Sequence, residues 1–146
     1  MAPAASVLRL TESQYATIIG NCYDGLPFEA CGLLIGPLGI DGRPTGVVTG
    51  ARPCRNAEES AVIYTVDSRD YLAASRAAEA RGDEIVGVWH SHTHTDAYPS
   101  PTDVRQAVDP AWWYPIISLR DGEPVLRAYR IADGVIAEGR VELDRG

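Results

Sequence analysis

The stretch GDEIVGVWHSHTHTDAYPSPTD, residues 82–103, decides how the rest of the chain is interpreted. Its first part, residues 84–90, carries apolar side chains on both alternating faces: Val86 and Val88 on one, Ile85 and Trp89 on the other. Apolar residues on both faces are typical of a central strand that is covered from two sides. The sequence therefore predicts a central strand whose far end leads into a histidine-rich segment.

Two histidines leave this strand on the same side. Side chains two residues apart on a strand point to one face, so we expect His90 and His92 to project together, about 6–7 Å apart. A catalytic zinc ion needs at least one further protein ligand and keeps a position for water. Asp103 is the best candidate, because the chain between His92 and Ser100 is long enough to turn back toward the strand end. His94 would lie about 13 Å from His90 and is predicted to be a rim residue.

The same residues allow a purely structural interpretation. SPTD, residues 100–103, has the form of a helix start, with a serine cap, proline at the first helical position and an acid three residues after the cap. A single histidine near a strand end is also more often a hydrogen-bonded residue than a metal ligand. Metal binding is favoured only by the conjunction of two histidines on one face with an acid that can turn inward.

Glu29 is a candidate general base. It lies at the start of the apolar run FEACGLLIGP, residues 28–37. A carboxylate in such surroundings loses hydration, and its pKa tends to rise. The alternative is a strand-end glutamate exposed to solvent, and spacing does not decide between the two. Ser91 is expected on the opposite face from the histidines, and no GxSxG motif occurs, so a serine hydrolase is disfavoured.

The other elements predict an α/β (α+β) fold. Apolar alternation and short apolar runs predict strands, while helix starts and Ala-rich periodicity predict helices. We expect strands at residues 6–10, 28–37, 45–49, 61–66, 84–90, 112–119, 125–131 and 135–143, and helices after Thr11, at 68–81 and from Ser100 onward. This order implies a mixed β-sheet flanked by helices.

The composition indicates one domain spanning residues 1–146. A formal charge of −7 opposes nucleic-acid binding, and all 13 basic residues are arginine, which excludes a Schiff-base or P-loop lysine. The apolar runs are too short for a membrane span, and the first ten residues do not resemble a secretory signal, so a cytoplasmic location is expected. Cys22, Cys31 and Cys54 contain no CxxC pair and are predicted to be reduced core residues.

Glu29, the HSH at residues 90–92, Ser100 and Asp103 together resemble the JAMM motif of the MPN (JAB1/Mov34) metalloprotease family, ExnHS/THx7SxxD, at every position. The segments EACGLLIGP, RNAEES and HTDAYPSPTD are similar to the small bacterial branch of this family, and most to its Mec-type sulfur-carrier-protein cysteine peptidases. The resemblance extends over most of the chain.

This resemblance implies roles for the motif residues. One zinc ion per chain would be held by His90, His92 and Asp103, with Glu29 as the acid/base. Ser100 would donate a hydrogen bond to the developing oxyanion. The implied fold is a cytidine-deaminase-like sheet between helices.

The resemblance also implies a substrate. A zinc metallopeptidase of this branch would hydrolyse the amide bond between a ubiquitin-like sulfur-carrier protein and a C-terminal cysteine or other short tail, in cysteine and sulfur metabolism. The chain is short for the insertions that clamp ubiquitin in larger members, so polyubiquitin is not expected. The alternatives are a non-catalytic MPN scaffold, an isopeptidase acting on another ubiquitin-like conjugate, and a hydrolase of small amides. Arg55 is one arginine that could bind the released carboxylate.

Overall fold

A computed structural model describes residues 6–61, 64–107 and 109–145 of the chain. Within these ranges the strands are β1 (Val7–Thr11), β2 (Cys31–Gly36), β3 (Gly50–Cys54), β4 (Glu84–His92), β5 (Trp113–Ser118), β6 (Val125–Ala132) and β7 (Val135–Asp144). The helices are α1 (Glu12–Asp24), α2 (Ser68–Glu79) and α3 (Pro101–Gln106). None of the helices in the described part of the chain is long and apolar enough to cross a membrane.

The strands form one sheet in the order β1-β7-β6-β5-β4-β2-β3. The pairs β1–β7 and β4–β5 are parallel, and the other neighbours are antiparallel. This mixed sheet confirms the predicted α/β (α+β) class. Strand β4 lies between β2 and β5, as its two apolar faces predict.

Helices cover both faces of the sheet. Ile18 and Cys22 of α1 pack in the core under one face, together with Trp89 of β4. Ala74 of α2 packs in the core under the other face, where Val104 of α3 also lies. The metal-ligand candidates of β4 and α3 are therefore carried by neighbouring layers of the molecule.

The alternation along β4 shifts at a β-bulge. Leu34 pairs with Gly87 but Ile35 pairs with Ile85, so β4 contains one extra residue at Val86. As a result Val86 packs with Trp89 in one core, and Val88 lies in the other. The predicted grouping of Val86 with Val88 on one face is therefore wrong, although the alternation beyond the bulge is preserved.

Two of the predicted strands are not present as predicted. Residues 45–49 contain only an isolated bridge from Val47 to Arg9, because Gly46 turns the backbone at a φ of +92°. The edge strand β3 follows instead, in a stretch whose Arg52 and Pro53 gave no apolar signal; proline is tolerated on an edge. Of the predicted strand 61–66, residues 62 and 63 lie outside the described residues, and Val66 forms an isolated bridge with Asn56.

The three cysteines are free thiols. Cys22 and Cys31 are buried, whereas Cys54 is only partly buried. Burial raises the pKa of Cys22 and Cys31 to about 12, and it raises that of Cys54 to about 11. The thiols therefore remain protonated at neutral pH.

Candidate metal centre

The end of β4 presents two imidazoles on one face. His90 and His92 are 2% and 4% exposed, and their Nε2 atoms are 3.2 Å apart. Ser91 lies between them on the other face, where its Oγ accepts a hydrogen bond of 2.8 Å from the Ala30 backbone N–H. The strand alternation thus delivers both histidines to the same side, as the spacing predicted.

Helix α3 brings Asp103 to the same point. Asp103 Oδ1 lies 3.1 Å from His90 Nε2, and Oδ2 lies 2.9 Å from His92 Nε2. The same Oδ2 accepts the Ser100 backbone N–H at 2.9 Å, while Ser100 Oγ accepts the Asp103 N–H at 3.1 Å. Asp103 is therefore both the acid of a helix capping box and a member of the histidine cluster.

The three side chains fit a divalent metal ion. One ligand atom from each of His90, His92 and Asp103 lies within 4.8 Å of the others. In a tetrahedral zinc site with bonds of about 2.0–2.1 Å, neighbouring ligand atoms are about 3.3 Å apart. The separations of 2.9–3.2 Å in this cluster are close to that value.

The hydrogen bonding of His92 strengthens this fit. Its Nδ1 lies 2.7 Å from the Asp96 carbonyl oxygen, which can only accept, so Nδ1 carries a proton. In the neutral ring Nε2 then has only its lone pair, and that lone pair faces the Asp103 carboxylate. A positive charge is therefore needed between these two acceptors, either a second proton on the ring or a metal ion, and a carbonyl behind the imidazole is the usual support for a metal-bound histidine.

The electrostatics of the cluster also favour a cation. Burial by itself would raise the pKa of Asp103, but hydrogen bonds from the two histidines outweigh it and hold that pKa well below its usual range. Burial lowers the pKa of His90, only partly opposed by Asp103. For His92, burial is outweighed by hydrogen bonds to Asp103 and to the Asp96 carbonyl, so its pKa is raised. Asp103 is thus an ionised, buried carboxylate.

Glu29 is buried next to this cluster. Cys31 pairs with His90, and Ser91 N–H donates to the Ala30 carbonyl, so continuing the register places Glu29 opposite His92 on the same face. Glu29 is 5% exposed, and its Oε1 is buried without a hydrogen-bond partner among the described residues. Burial raises the pKa of Glu29 to about 8, partly offset by His92. The solvent-exposed alternative for Glu29 is therefore wrong.

The backbone around Glu29 is fixed by the segment that follows β3. Glu29 N–H donates to the Ser60 carbonyl at 2.6 Å, and Asn56 Nδ2 donates to the Glu29 carbonyl at 2.9 Å. These contacts fix the backbone from which the Glu29 side chain projects toward the histidine cluster.

Two contacts at the site had no signal in the sequence. The Tyr64 ring stacks on His90, with ring centroids 4.4 Å apart and planes inclined by 17°. Asp96 supports His92 through its backbone carbonyl, which any residue could supply. His94 is exposed and does not belong to the ligand cluster, in agreement with its predicted position at the rim.

Comparison with known proteins identifies the family. Residues 11–132 match the family described as prokaryotic homologs of the JAB domain. The chain therefore belongs to the JAB (JAMM/MPN) domain family, which confirms the resemblance of its motif.

Two curated relatives have named activities. The CysO-cysteine peptidase of Mycobacterium tuberculosis is 44% identical over 118 residues, which cover 80% of this chain and 77% of the relative. The desampylase of Haloferax volcanii is 35% identical over 119 residues, which cover 78% of this chain and 82% of the relative.

Solved structures share the fold. A solution structure of a protein from Desulfitobacterium hafniense matches with a TM-score of 0.84 and 33% identity, covering 95% of this chain and 94% of that one. The crystal structure of a JAB1/MPN domain protein from Archaeoglobus fulgidus matches with a TM-score of 0.58 and 18% identity, covering 92% and 98%. The fold is therefore that of JAB/MPN domain proteins.

Proposed function

We propose that this chain is a zinc metallopeptidase that hydrolyses the amide bond between a ubiquitin-like sulfur-carrier protein and its C-terminal cysteine or other short tail. The observation that carries the proposal is the buried convergence of His90, His92 and Asp103 beside the Glu29 carboxyl. The names of the two relatives, CysO-cysteine peptidase and desampylase, support a peptidase that acts on a small ubiquitin-like protein.

The donor set suits zinc. Two imidazoles and one carboxylate are common protein ligands in catalytic zinc sites, which keep another position for water or substrate. When bound, the ion would lower the pKa of water and polarise the scissile carbonyl. Iron and manganese accept similar donors, so metal analysis of freshly purified protein distinguishes them.

Glu29 is assigned to proton transfer. A pKa raised to about 8 by burial lets its carboxyl group change protonation state near neutral pH. Glu29 would take a proton from the attacking water and return it to the leaving amine. The unpartnered Oε1 leaves an acceptor for that proton.

Ser100 is assigned to the oxyanion. Its Oγ accepts the Asp103 N–H, and a hydroxyl group that accepts retains its own proton to donate. That proton would stabilise the negative charge that develops on the scissile carbonyl oxygen.

Cleavage of a defined carrier tests the proposed function. The zinc-loaded protein is incubated with a sulfur-carrier protein bearing a C-terminal cysteine, and the carrier mass is measured before and after. Loss of one cysteine residue is expected. Glu29→Gln should lower the rate by at least about 100-fold while metal content stays near one equivalent, since general-base contributions are about 10²–10⁴. An unchanged carrier mass with every tail would refute the peptidase, and full activity in Glu29→Gln would refute the assigned base.

The similarity to the desampylase supports a second candidate, an isopeptidase acting on a ubiquitin-like protein joined to another protein. A carrier linked through its carboxyl end to a lysine side chain serves as the competing substrate. Faster cleavage of this conjugate than of the linear cysteine tail would favour the isopeptidase. A non-catalytic scaffold is disfavoured because every residue of the metal-ligand motif is retained.

A further inference from the structure

A large apolar groove of about 540 Å³ lies on the same face of the sheet as the metal centre. Most of its lining is aliphatic or aromatic: Leu33, Tyr64, Val66, Tyr71, Val88 and Trp112. Among the described residues that line it, Arg105 is the only one with a charged side chain. The groove therefore suits a ligand that is apolar over most of its surface and carries one negative charge.

The groove adjoins the metal centre, because the two share structural elements. Val88 precedes His90 by two residues on the same face of β4, about 6–7 Å along the strand. Its partner Leu33 belongs to the groove, just as Cys31 is the partner of His90. Tyr64 both lines the groove and stacks on His90. A ligand in the groove would thus lie next to the Tyr64–His90 pair at the edge of the metal centre.

Arg105 is available to bind an anion. It follows Asp103 by two residues on α3 and is exposed, and its guanidinium donates to Thr102 Oγ1 at 3.0 Å. Within the described part of the chain, none of the ion pairs includes Arg105.

Two other arginines, Arg55 and Arg120, already form ion pairs with acidic side chains. Arg55, a candidate from the sequence, has a 77% exposed side chain 3.9 Å from Asp70, and its backbone N–H donates to the same carboxylate at 2.7 Å. Arg120 is paired with Asp96 at 2.6 Å. Of these three arginines, Arg105 is the one that lines an apolar groove and forms no ion pair among the described residues.

We propose that Arg105 binds the α-carboxylate of the residue that is released, and that the groove receives the side chain of that residue. This inference rests on the proposed function. The α-carboxylate lies only two bonds, about 2.5 Å, beyond the leaving nitrogen, and Arg105 lines the groove that adjoins His90. Only the released side of the scissile bond ends in a free carboxylate, so a groove whose one charged lining residue among the described residues is an arginine fits that side of the bond. The enzyme would therefore require a free C-terminus one residue after the cleaved bond.

Gln106 adds a polar contact to the groove. Its Oε1 is buried and has no hydrogen-bond partner among the described residues. A buried unsatisfied oxygen favours a ligand that can donate to it. A thiol or amine of the released residue supplies such a donor.

The test compares two carriers that differ only at the terminal carboxyl group. One ends in a free cysteine carboxylate and the other in cysteine amide, and kcat/KM is measured for both with zinc-loaded protein. The wild type should prefer the acid by about 10- to 100-fold, the value of a hydrogen-bonded charge pair. Arg105→Gln should abolish this preference by lowering kcat/KM for the acid alone, and Arg105→Lys should restore part of it. Arg55→Gln, the matched control, should keep the preference of the wild type.

A binding measurement separates recognition from turnover. In a Glu29→Gln background, the uncleaved acid carrier should bind about 10- to 100-fold more tightly than the amide, and adding Arg105→Gln should remove the difference. Equal cleavage of acid and amide by the wild type would overturn the role of Arg105 while leaving the peptidase intact. An Arg105→Gln variant that still prefers the acid over the amide would also overturn the role of Arg105. Failure to cleave either carrier would refute the proposed function and this inference together.

Discussion

Two helix starts in this molecule share one local structure but differ in what faces them. At α1, Thr11 Oγ1 accepts the Gln14 N–H and Gln14 Oε1 accepts the Thr11 N–H, both at 3.0 Å. At α3, Ser100 and Asp103 exchange the same pair of hydrogen bonds, at 3.1 and 2.9 Å. Both are complete capping boxes, and neither can be told from the other by its own hydrogen bonds.

The surroundings separate the two capping boxes. Gln14 uses its remaining amide group to donate to the Val48 carbonyl at 2.9 Å, which is an ordinary structural contact. Asp103 instead faces His90 and His92 across a buried gap. A helix cap and a metal ligand are therefore not competing interpretations of Asp103, because the cap fixes the carboxylate in the position from which it can bind an ion.

The largest loss of metal binding and activity is expected from Asp103→Asn. The asparagine side-chain oxygen can still accept the Ser100 N–H, so the cap is kept, but the anionic ligand is lost. Metal affinity should fall by well over the 10- to 100-fold typical of losing a residue that merely supports a ligand, and activity should be abolished with the loss of the metal. Metal content after dialysis and circular dichroism of the metal-free protein check both parts. Gln14→Ala is the control: it alters the capping box of α1 and should leave metal binding unchanged. Full metal occupancy in Asp103→Asn would show that the Asp103 carboxylate only caps α3.

A smaller effect on activity is expected from Ser100→Ala. Loss of an oxyanion donor lowers kcat by about 10²–10³, and loss of a capping hydroxyl lowers the free energy of unfolding by about 1 kcal/mol. Steady-state kinetics and urea denaturation measure the two effects separately.

Thr11→Ala is the matched control for that variant, because it removes the corresponding hydroxyl from α1. It should destabilise the protein by a similar amount and leave kcat unchanged. If the two variants reduced stability equally and neither changed kcat, Ser100 would have no role beyond capping.

The smallest expected effect is on the pH dependence of stability in the metal-free protein, and it comes from Glu29. Burial raises the pKa of Glu29 from 4.5 to about 8, so between these values the folded state binds more protons than the unfolded state. Its contribution to the free energy of unfolding therefore decreases as pH rises from about 4.5 to 8. Glu29→Gln should remove this contribution, giving a flatter pH dependence in urea denaturation with a chelator present. Parallel curves for the two proteins would show that the carboxyl group is not desolvated.

Local signals predicted much of this structure. The alternation beyond the bulge placed His90 and His92 on one face because side-chain direction has a period of two in any strand. The SPTD stretch predicted the start of α3 because capping depends on residues only three positions apart. Strand β3 was missed because edge strands need no apolar pattern, and the bulge at Val86 was missed because it depends on pairing with β2.

The sequence alone therefore determined the local geometry of each part: the central strand, the histidine pair, the cap and the motif of the family. Only the tertiary structure decided how these parts meet. The register of β2 against β4 brings Glu29 to His92, and α3 folds back so that Asp103 reaches both imidazoles. Contacts between residues distant in the chain are set by strand pairing and packing rather than by local propensity, and the proposed chemistry depends on those contacts.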